Sequence, residues 1–288
     1  MSKLEKELKD SHFVITSEIA PPKGPDLKEF FEAARAIKDR VVSVNVTDNQ
    51  RSMMRLSSLV ASHFLIKEGI EPIYQLACRD RNRLALQSDL LGAAALGIEN
   101  ILPLTGDPVK AGDQPEAKGV FDFHSIRLME TVQKLCQGLS DSGTKLNASC
   151  RFFVGGAVDP NRFGSEAFEK KLKEKVAAGA KFFQSQPVYD WGKAKALKAL
   201  ADTLGVKVLF GVILIKSAKQ ARFLNKIPGI VIPEDLIEKF EKAHRPLEVG
   251  VAYAAEEIKR FQDFAHGVHV MTVGREDLVP AILDQAAL

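Results

Sequence analysis

Eight times along this chain of 288 residues, a short run of apolar and β-branched residues gives way to a longer stretch whose apolar positions recur every three or four residues. The first pattern suits a buried strand, the second an amphipathic helix. "HFVITSEIA" (12–20) precedes "DLKEFFEAARAIKD" (26–39), "VVSVNVT" (41–47) precedes 53–68, "PIYQLAC" (72–78) precedes 82–96, and "ENILPLTG" (99–106) precedes a loop and then 123–138. The rhythm resumes with "ASCRFFVGGA" (148–157) and 165–178, "KFFQSQPV" (181–188) and 191–204, and "KVLFGVILI" (207–215) and 218–225, and it closes with "GVHVMTVG" (267–274) and 276–286. Between the seventh and eighth units, 227–267 predicts a short helix followed by a long amphipathic one.

Strands this apolar are covered on both faces, which implies a parallel α/β sheet. Eight units at this length predict closure into a (β/α)8 TIM barrel, one domain over 1–288, with extra helices between strands seven and eight. An open doubly wound sheet is the competing architecture. No GxGxxG follows the first strand and no GxxxxGK[ST] occurs, so the usual dinucleotide and P-loop fingerprints of open sheets are missing.

Charge and cysteine content narrow the partners. Forty Lys and Arg against 37 Asp and Glu leave a net charge of +3, spread along the chain, which argues against nucleic acid and fits anionic small molecules. Cys78, Cys136 and Cys150 are odd in number and far apart, with no CxxC and no metal-ligand spacing, so no metal site is expected and a reducing cytoplasm suits them. The start, "MSKLEKELKD", is charged and lacks an apolar signal core, and no run of about 18 apolar residues appears, so no membrane insertion is expected.

In a barrel, chemistry gathers where strands end at their C-terminal side. Strand one ends "TSEIAPP", which puts Glu18 inside an apolar run; desolvation there favours the protonated acid and suits general-acid work. The bland reading is a structural ion pair with a neighbouring strand. Other strand ends offer Asn45 and Thr47, Gln75, Gly155 and Gly156, Gln184 and Gln186, and Thr272 and Arg275. Amides and small residues gathered at one rim suit a flat heterocycle, through hydrogen bonds and close backbone approach. "LTGDP" (104–108) raises a separate question, because Asp107 stands where an apolar run ends in a glycine turn. His63, His124 and His244 are given no role, and most lysines of "EKKLKEKVAAGAK" (169–181) read as a solvated helix face.

"SEIAPP" on strand one, "LTGDP" on strand four, "QPVYD" after strand six, "KQA" opening the seventh helix and Arg275 after strand eight resemble, in this order, the methylenetetrahydrofolate reductases. The resemblance runs from about Phe13 to about Leu283. It implies a flavin-dependent barrel enzyme of one-carbon metabolism and methionine biosynthesis that reduces 5,10-methylenetetrahydrofolate to 5-methyltetrahydrofolate by ping-pong hydride transfer. Carried over residue by residue, Glu18 matches the catalytic acid and Asp107 the aspartate between flavin and pterin. Gln186, Gln220 and Arg275 match folate-holding residues. Asn45, Gln75, Leu104, Thr105, Gly106, Asp107, Ala157 and Lys175 fall at flavin-contact positions, with Lys175 near the cofactor's phosphate.

The departures from the family lie on the flavin side. Gln75 stands where histidine is common, Thr105 where arginine is common, and "AVDPN" (157–161) where the family often has "YPxxHP". FAD is the expected cofactor, with FMN as the alternative. NADH or NADPH is the donor the resemblance implies, although some relatives work with an iron–sulfur partner subunit; a homo-oligomer is the other assembly in view. Two further readings stay open: a folate-binding flavoprotein subunit that takes electrons only from such a partner, and a lyase or aldolase barrel using Glu18 and Asp107 as acid and base. The latter calls for a glycine-rich phosphate loop after strands seven and eight, where "LIKSAK" and "TVGRED" offer little glycine.

Overall fold

The apolar runs become the staves of a closed barrel. The computed structural model describes residues 1–226 and 230–288. In it β1 (Val14–Ile19), β2 (Ser43–Val46), β3 (Pro72–Ala77), β4 (Asn100–Leu104), β5 (Phe153–Val158), β6 (Phe182–Pro187), β7 (Lys207–Ile213) and β8 (Gly267–Met271) pair in sequence order. Each pair is parallel, and β8 returns to β1 with Val14 opposite Gly267. The (β/α)8 expectation therefore holds, and the open sheet is overturned by the β8–β1 pairing.

Helices α2 (Lys28–Ile37), α3 (Ser58–Lys67), α4 (Arg83–Ala95), α5 (Ser125–Cys136), α6 (Glu166–Ala177) and α7 (Trp191–Thr203) follow strands one to six. Their apolar stripes and the outward strand residues share one large core. After β7 come α8 (Ala218–Leu224), α9 (Glu234–Lys242) and α10 (Pro246–Gln262), and α11 (Val279–Gln285) follows β8. The long amphipathic helix expected in the insertion is α10, and it is α10, not α8, that packs on β7 and β8. Phe261 of α10 stacks on Phe210 of β7 with centroids 4.9 Å apart and planes at 7°. Helices α8 and α9 form their own satellite core with Ile215 and Ile232. The first three residues of that stretch, 227–229, lie outside the described residues.

Two boundaries shift for local reasons. The helix expected from Met53 begins only at Ser58, because the preceding loop is tied elsewhere: Met54 N–H donates to Asp113 (2.9 Å) and Arg55 N–H to Asn49 Oδ1 (2.9 Å). The strand expected from Ala148 starts at Phe153, since Cys150 N–H donates to the Leu135 carbonyl at the end of α5 (3.0 Å).

One helix was not foreseen. Residues Lys3–Lys9 form α1, whose N-terminus is held by Ser2 Oγ, accepting from Glu5 N–H, and by the Glu71 carboxylate, accepting from Lys3 and Leu4 N–H at 2.6 and 2.9 Å. Asn100 Nδ2 donates to the same carboxylate at 2.8 Å. Leu4 and Leu8, one turn apart, are buried with Val14, Ile73, Leu102, Phe182 and Leu209. These are inward residues near the strand starts, so α1 stoppers the barrel at the end opposite the strand C-termini. Phe153 and Phe182 stack above it, 5.1 Å apart at 17°. The same ring explains Gly155, since a Cβ there would lie 2.5 Å from Phe182, and one on Gly156 would lie 2.8 Å from Phe183. The strand-five glycines thus serve packing within the barrel wall and do not open the rim to a ligand.

Because Leu4 is fully buried in this floor, Leu4→Ala should cost about 2–4 kcal/mol of stability. Urea denaturation of the purified chain checks this; a midpoint within error of wild type would show that α1 does not close the barrel.

Candidate active site

Alternation along β1 sends Val14, Thr16 and Glu18 to the barrel interior, and the three mark successive levels from floor to rim. Val14 belongs to the apolar floor, whereas Thr16 enters a fully buried polar layer. Within that layer Asn45 of β2 and Gln184 of β6 exchange two amide hydrogen bonds: Asn45 Nδ2 donates to Gln184 Oε1 (2.6 Å), and Gln184 Nε2 donates to Asn45 Oδ1 (2.9 Å). Gln184 Nε2 also reaches Thr16 Oγ1 at 3.3 Å. The Thr16 hydroxyl faces His269 Nδ1 of β8 at 3.0 Å. Every polar group in such a site needs a partner, and here the partners are one another.

Glu18 stands one level higher, 7% exposed, with its carboxylate 3.8 Å from His269 Nε2. The structural ion pair with Lys or Arg, considered for Glu18 on sequence grounds, does not form among the described residues; its one charge-capable neighbour within 4 Å is this histidine. Glu276, just past β8, is a second carboxyl nearby: burial first, and the Glu18 charge in addition, push it above the usual carboxylate range.

The loop after β4 builds the other side. Gly106 takes φ +95°, and a Cβ there would press on the Arg79 Cβ at 2.7 Å, so only glycine lets the chain turn so closely over β3. Leu104 ends β4 half-buried, Thr105 Oγ1 accepts from Ser125 N–H (3.1 Å) at the start of α5, and Asp107 emerges exposed at the rim. Asp107 Oδ2 accepts from Arg51 N–H at 2.8 Å, and the Arg51 guanidinium lies over the Phe223 ring of α8, 5.9 Å from its centroid. The mouth is therefore lined by the loops after β2 and β4 together with α8.

On the next side, the register of β6 shifts between Gln184 and Pro187, and Gln186 is left exposed. It borders a hollow of about 290 Å³ shared with Ala157, Asp159, Arg162, Lys171 and Lys175. Lys175 Nζ donates to the Ala157 carbonyl at 2.6 Å. Its ammonium is pushed down to about 8, by burial first and by neighbouring Lys171 second. Three cations and one carboxylate, Asp159, thus line the hollow and leave it net positive.

Not every expected residue is free to meet a ligand in this arrangement. Asn45 is fully committed to Gln184, well below the rim. Gln220 accepts from Lys216 N–H (2.8 Å) at the start of α8, where Ser217 caps Gln220 N–H. Arg275 forms a two-pronged pair with Asp277 (2.8 Å each). Gln75 is buried at the rim end of β3.

Three residues were missed from sequence. His269 was passed over because "GVHVM" reads as apolar; the available signal was a histidine at an alternate, inward position. Arg79 and Arg81 follow β3 directly in "CRDR". Arg79 is 1% exposed and pairs with Asp80 (2.7 Å), and Arg81 pairs with buried Asp48 (2.7 Å), whose carboxylate also receives Ala77 N–H (2.8 Å). They brace the rim from outside the mouth.

With the rim in view, the comparison with known proteins is direct. Residues 3–287 match the family model described as methylenetetrahydrofolate reductase. The chain belongs to the methylenetetrahydrofolate reductase family.

Its similarity to individual members is distant. It is 24% identical to methylenetetrahydrofolate reductase 2 of Schizosaccharomyces pombe, over 90% of this chain and 45% of that protein. It is 22% identical to 5,10-methylenetetrahydrofolate reductase of Pectobacterium carotovorum, over 93% of this chain and 88% of that one. A Caenorhabditis elegans relative, a probable methylenetetrahydrofolate reductase (NADPH), is 22% identical over 81% of this chain and 34% of its own length. The chain thus spans less than half the length of the yeast and nematode relatives. Among solved structures, a Clostridium thermocellum protein described as binding two copies of 5-methyl-5,6,7,8-tetrahydrofolic acid superposes with a TM-score of 0.65 at 16% identity, over the whole of both chains. Tryptophan synthase from M. tuberculosis gives 0.55 at 14% identity. These likenesses are to the barrel fold. In this barrel the motifs "SEIAPP", "LTGDP" and "QPVYD" all reach the same rim.

The Lys175 niche carries a pH dependence of definite sign. An anion binds the protonated ammonium, which is lost above about pH 8. ADP, used as a diphosphate probe, should therefore bind roughly tenfold more weakly at pH 9.5 than at pH 7, and Lys175→Met should remove the difference. Calorimetric titration at the two pH values decides it; equal affinities in the wild-type chain would rule the niche out.

Proposed function

We propose that this chain is a flavin-dependent reductase of 5,10-methylenetetrahydrofolate, with FAD as its cofactor and NADH or NADPH as electron donor. The observation that carries the reading is Glu18: a carboxyl buried at the C-terminal end of β1, beside a histidine, in a chain whose family is that of methylenetetrahydrofolate reductases. The naming of the relatives, one of them with NADPH, supports the same reading.

The residues at the rim fit a flavin. Gly106 turns the chain closely over the end of β3, and Gln75 presents an amide near that same strand end. The niche of Lys175, Lys171 and Arg162, net positive even with Asp159 in its lining, suits the diphosphate of FAD. When bound, the flavin would supply the hydride that reduces the folate's methylene carbon.

The chain's own share is proton delivery, orientation and exclusion of water. Glu18, largely withdrawn from solvent, gives its proton to the folate nitrogen whose bond to the methylene carbon breaks, and is left as carboxylate beneath the substrate. Asp107, exposed and anchored through Arg51 N–H, meets the pterin at the mouth. Gln186 already faces the mouth, whereas Gln220 and Arg275 exchange their present partners, Lys216 N–H and Asp277, for folate. Each exchange replaces one hydrogen bond or surface ion pair by another, at small net cost.

Two outcomes are expected. Glu18→Gln retains flavin and its bleaching by NADH or NADPH, while reoxidation by methylenetetrahydrofolate slows by about 10²-fold or more; equal loss in both half-reactions, followed by anaerobic stopped-flow absorbance, would refute the acid role. Asp107→Asn weakens folate binding and alters flavin reactivity, with the thermal midpoint unchanged because a single exposed hydrogen bond is affected; a large drop in that midpoint would make Asp107 structural.

A further inference from the structure

Glu18 has two oxygens and only one can carry the proton it delivers; the buried layer beneath it settles which. The Asn45–Gln184 pairing points Gln184 Nε2, a donor, toward His269 Nδ1 at 3.4 Å. The Thr16 hydroxyl receives a hydrogen from Gln184 Nε2 at 3.3 Å and keeps one to give. Nδ1 at 3.0 Å is better placed to receive it than the Val268 carbonyl at 3.4 Å. Gln184 Nε2 has spent its two hydrogens on Asn45 and Thr16, so the donor to Nδ1 is the Thr16 hydroxyl; Nδ1 then accepts, and in the neutral ring the proton sits on Nε2. That N–H faces Glu18 Oε2 across 3.8 Å.

We propose that His269 is the positioning residue of Glu18: its Nε2–H, held in that tautomer by Thr16 and the Gln184–Asn45 pair, faces Oε2 across 3.8 Å, draws it into a hydrogen bond when substrate binds, and leaves the acid proton to Oε1. The inference rests on the acid role given to Glu18 above. When Oε1 surrenders its proton to the substrate nitrogen, the negative charge left on the carboxylate is met by the same N–H, with no proton crossing from the histidine. The network ends at Asn45, itself buried, so it orients the acid and offers no route to solvent. Among the described residues, Glu276, just past β8, is a further carboxyl that feels the Glu18 charge.

The test has two arms. In protein labelled with [15N]histidine, which carries six histidines, the resonance lost in His269→Gln should report an Nε2–H tautomer and should shift in Glu18→Gln; an Nδ1–H tautomer, or a resonance indifferent to Glu18→Gln, would overturn the proposal without any assay of function. In the kinetic arm, His269→Leu should slow the folate half-reaction by about 10²-fold while flavin reduction by donor and the Kd for 5-methyltetrahydrofolate stay within about threefold. His269→Gln, whose amide nitrogen reaches the place of Nε2, should restore most of that rate. Equal rates for the leucine and glutamine variants would mean that His269 only fills space. A chain that takes no flavin and reduces no folate would sink the functional reading, and the tautomer arm would still stand or fall by itself.

Discussion

The amide pair of Asn45 and Gln184 is the contact on which the working end of this barrel depends. It joins β2 to β6, strands four places apart in a ring of eight, and so spans the barrel from wall to wall. Below it lie the apolar side chains and stacked rings of the floor, with Asn100 and the Glu71 carboxylate paired where α1 docks; above it the carboxylate of Glu18 and the polar rim begin. A layer of mutually satisfied amides between them lets a charged group stand over a dry floor without leaving any member of the layer unpaired. With one hydrogen of Gln184 Nε2 given to Asn45, the other is left for Thr16 Oγ1 at 3.3 Å, and through the Thr16 hydroxyl the pair bears on His269.

Most of the architecture was legible in the chain because each level of evidence agreed: strand-like runs, helical periodicity and count pointed to one closed barrel. The places of Glu18 at the end of β1 and of Asp107 past β4 were legible for the opposite reason, as acids where local pattern calls for apolar or turn residues. What could not be read was pairing across the ring. Nothing in "SVNV" says that Asn45 faces Gln184, 139 positions away, and so an amide assigned to the rim proves to belong to the interior. Helix α1 was hidden similarly, since a seven-residue charged helix is unstable by itself and exists through Leu4, Leu8 and the Glu71 carboxylate. The exchange of roles between α8 and α10 has the same origin: both patterns are helical, and only docking decides which one covers β7.

The loop after β2 shows where the fold departs from relaxed geometry. Asn49, Arg51 and Ser52 all hold positive φ, at 44°, 56° and 59°. Such conformations cost about 1–3 kcal/mol each in side-chain-bearing residues and persist only where surroundings impose them. Here Asp107, Asp113 and Asn49 hold the loop through backbone N–H groups. The result is that Arg51 reaches across the mouth toward Phe223, and the loops after β2 and β4 form one unit at the entrance.

The stopper at the opposite end has a consequence for how the molecule comes into being. Leu4 and Leu8 rest on Val14, Ile73, Leu102, Phe182 and Leu209, and the helix is anchored by Glu71. Its seat is therefore assembled from segments spread over some two-thirds of the chain. During synthesis α1 leaves the ribosome before all of them, and its seat is complete only once β7 has emerged. A helix made ahead of its seat therefore waits on the barrel wall that it closes.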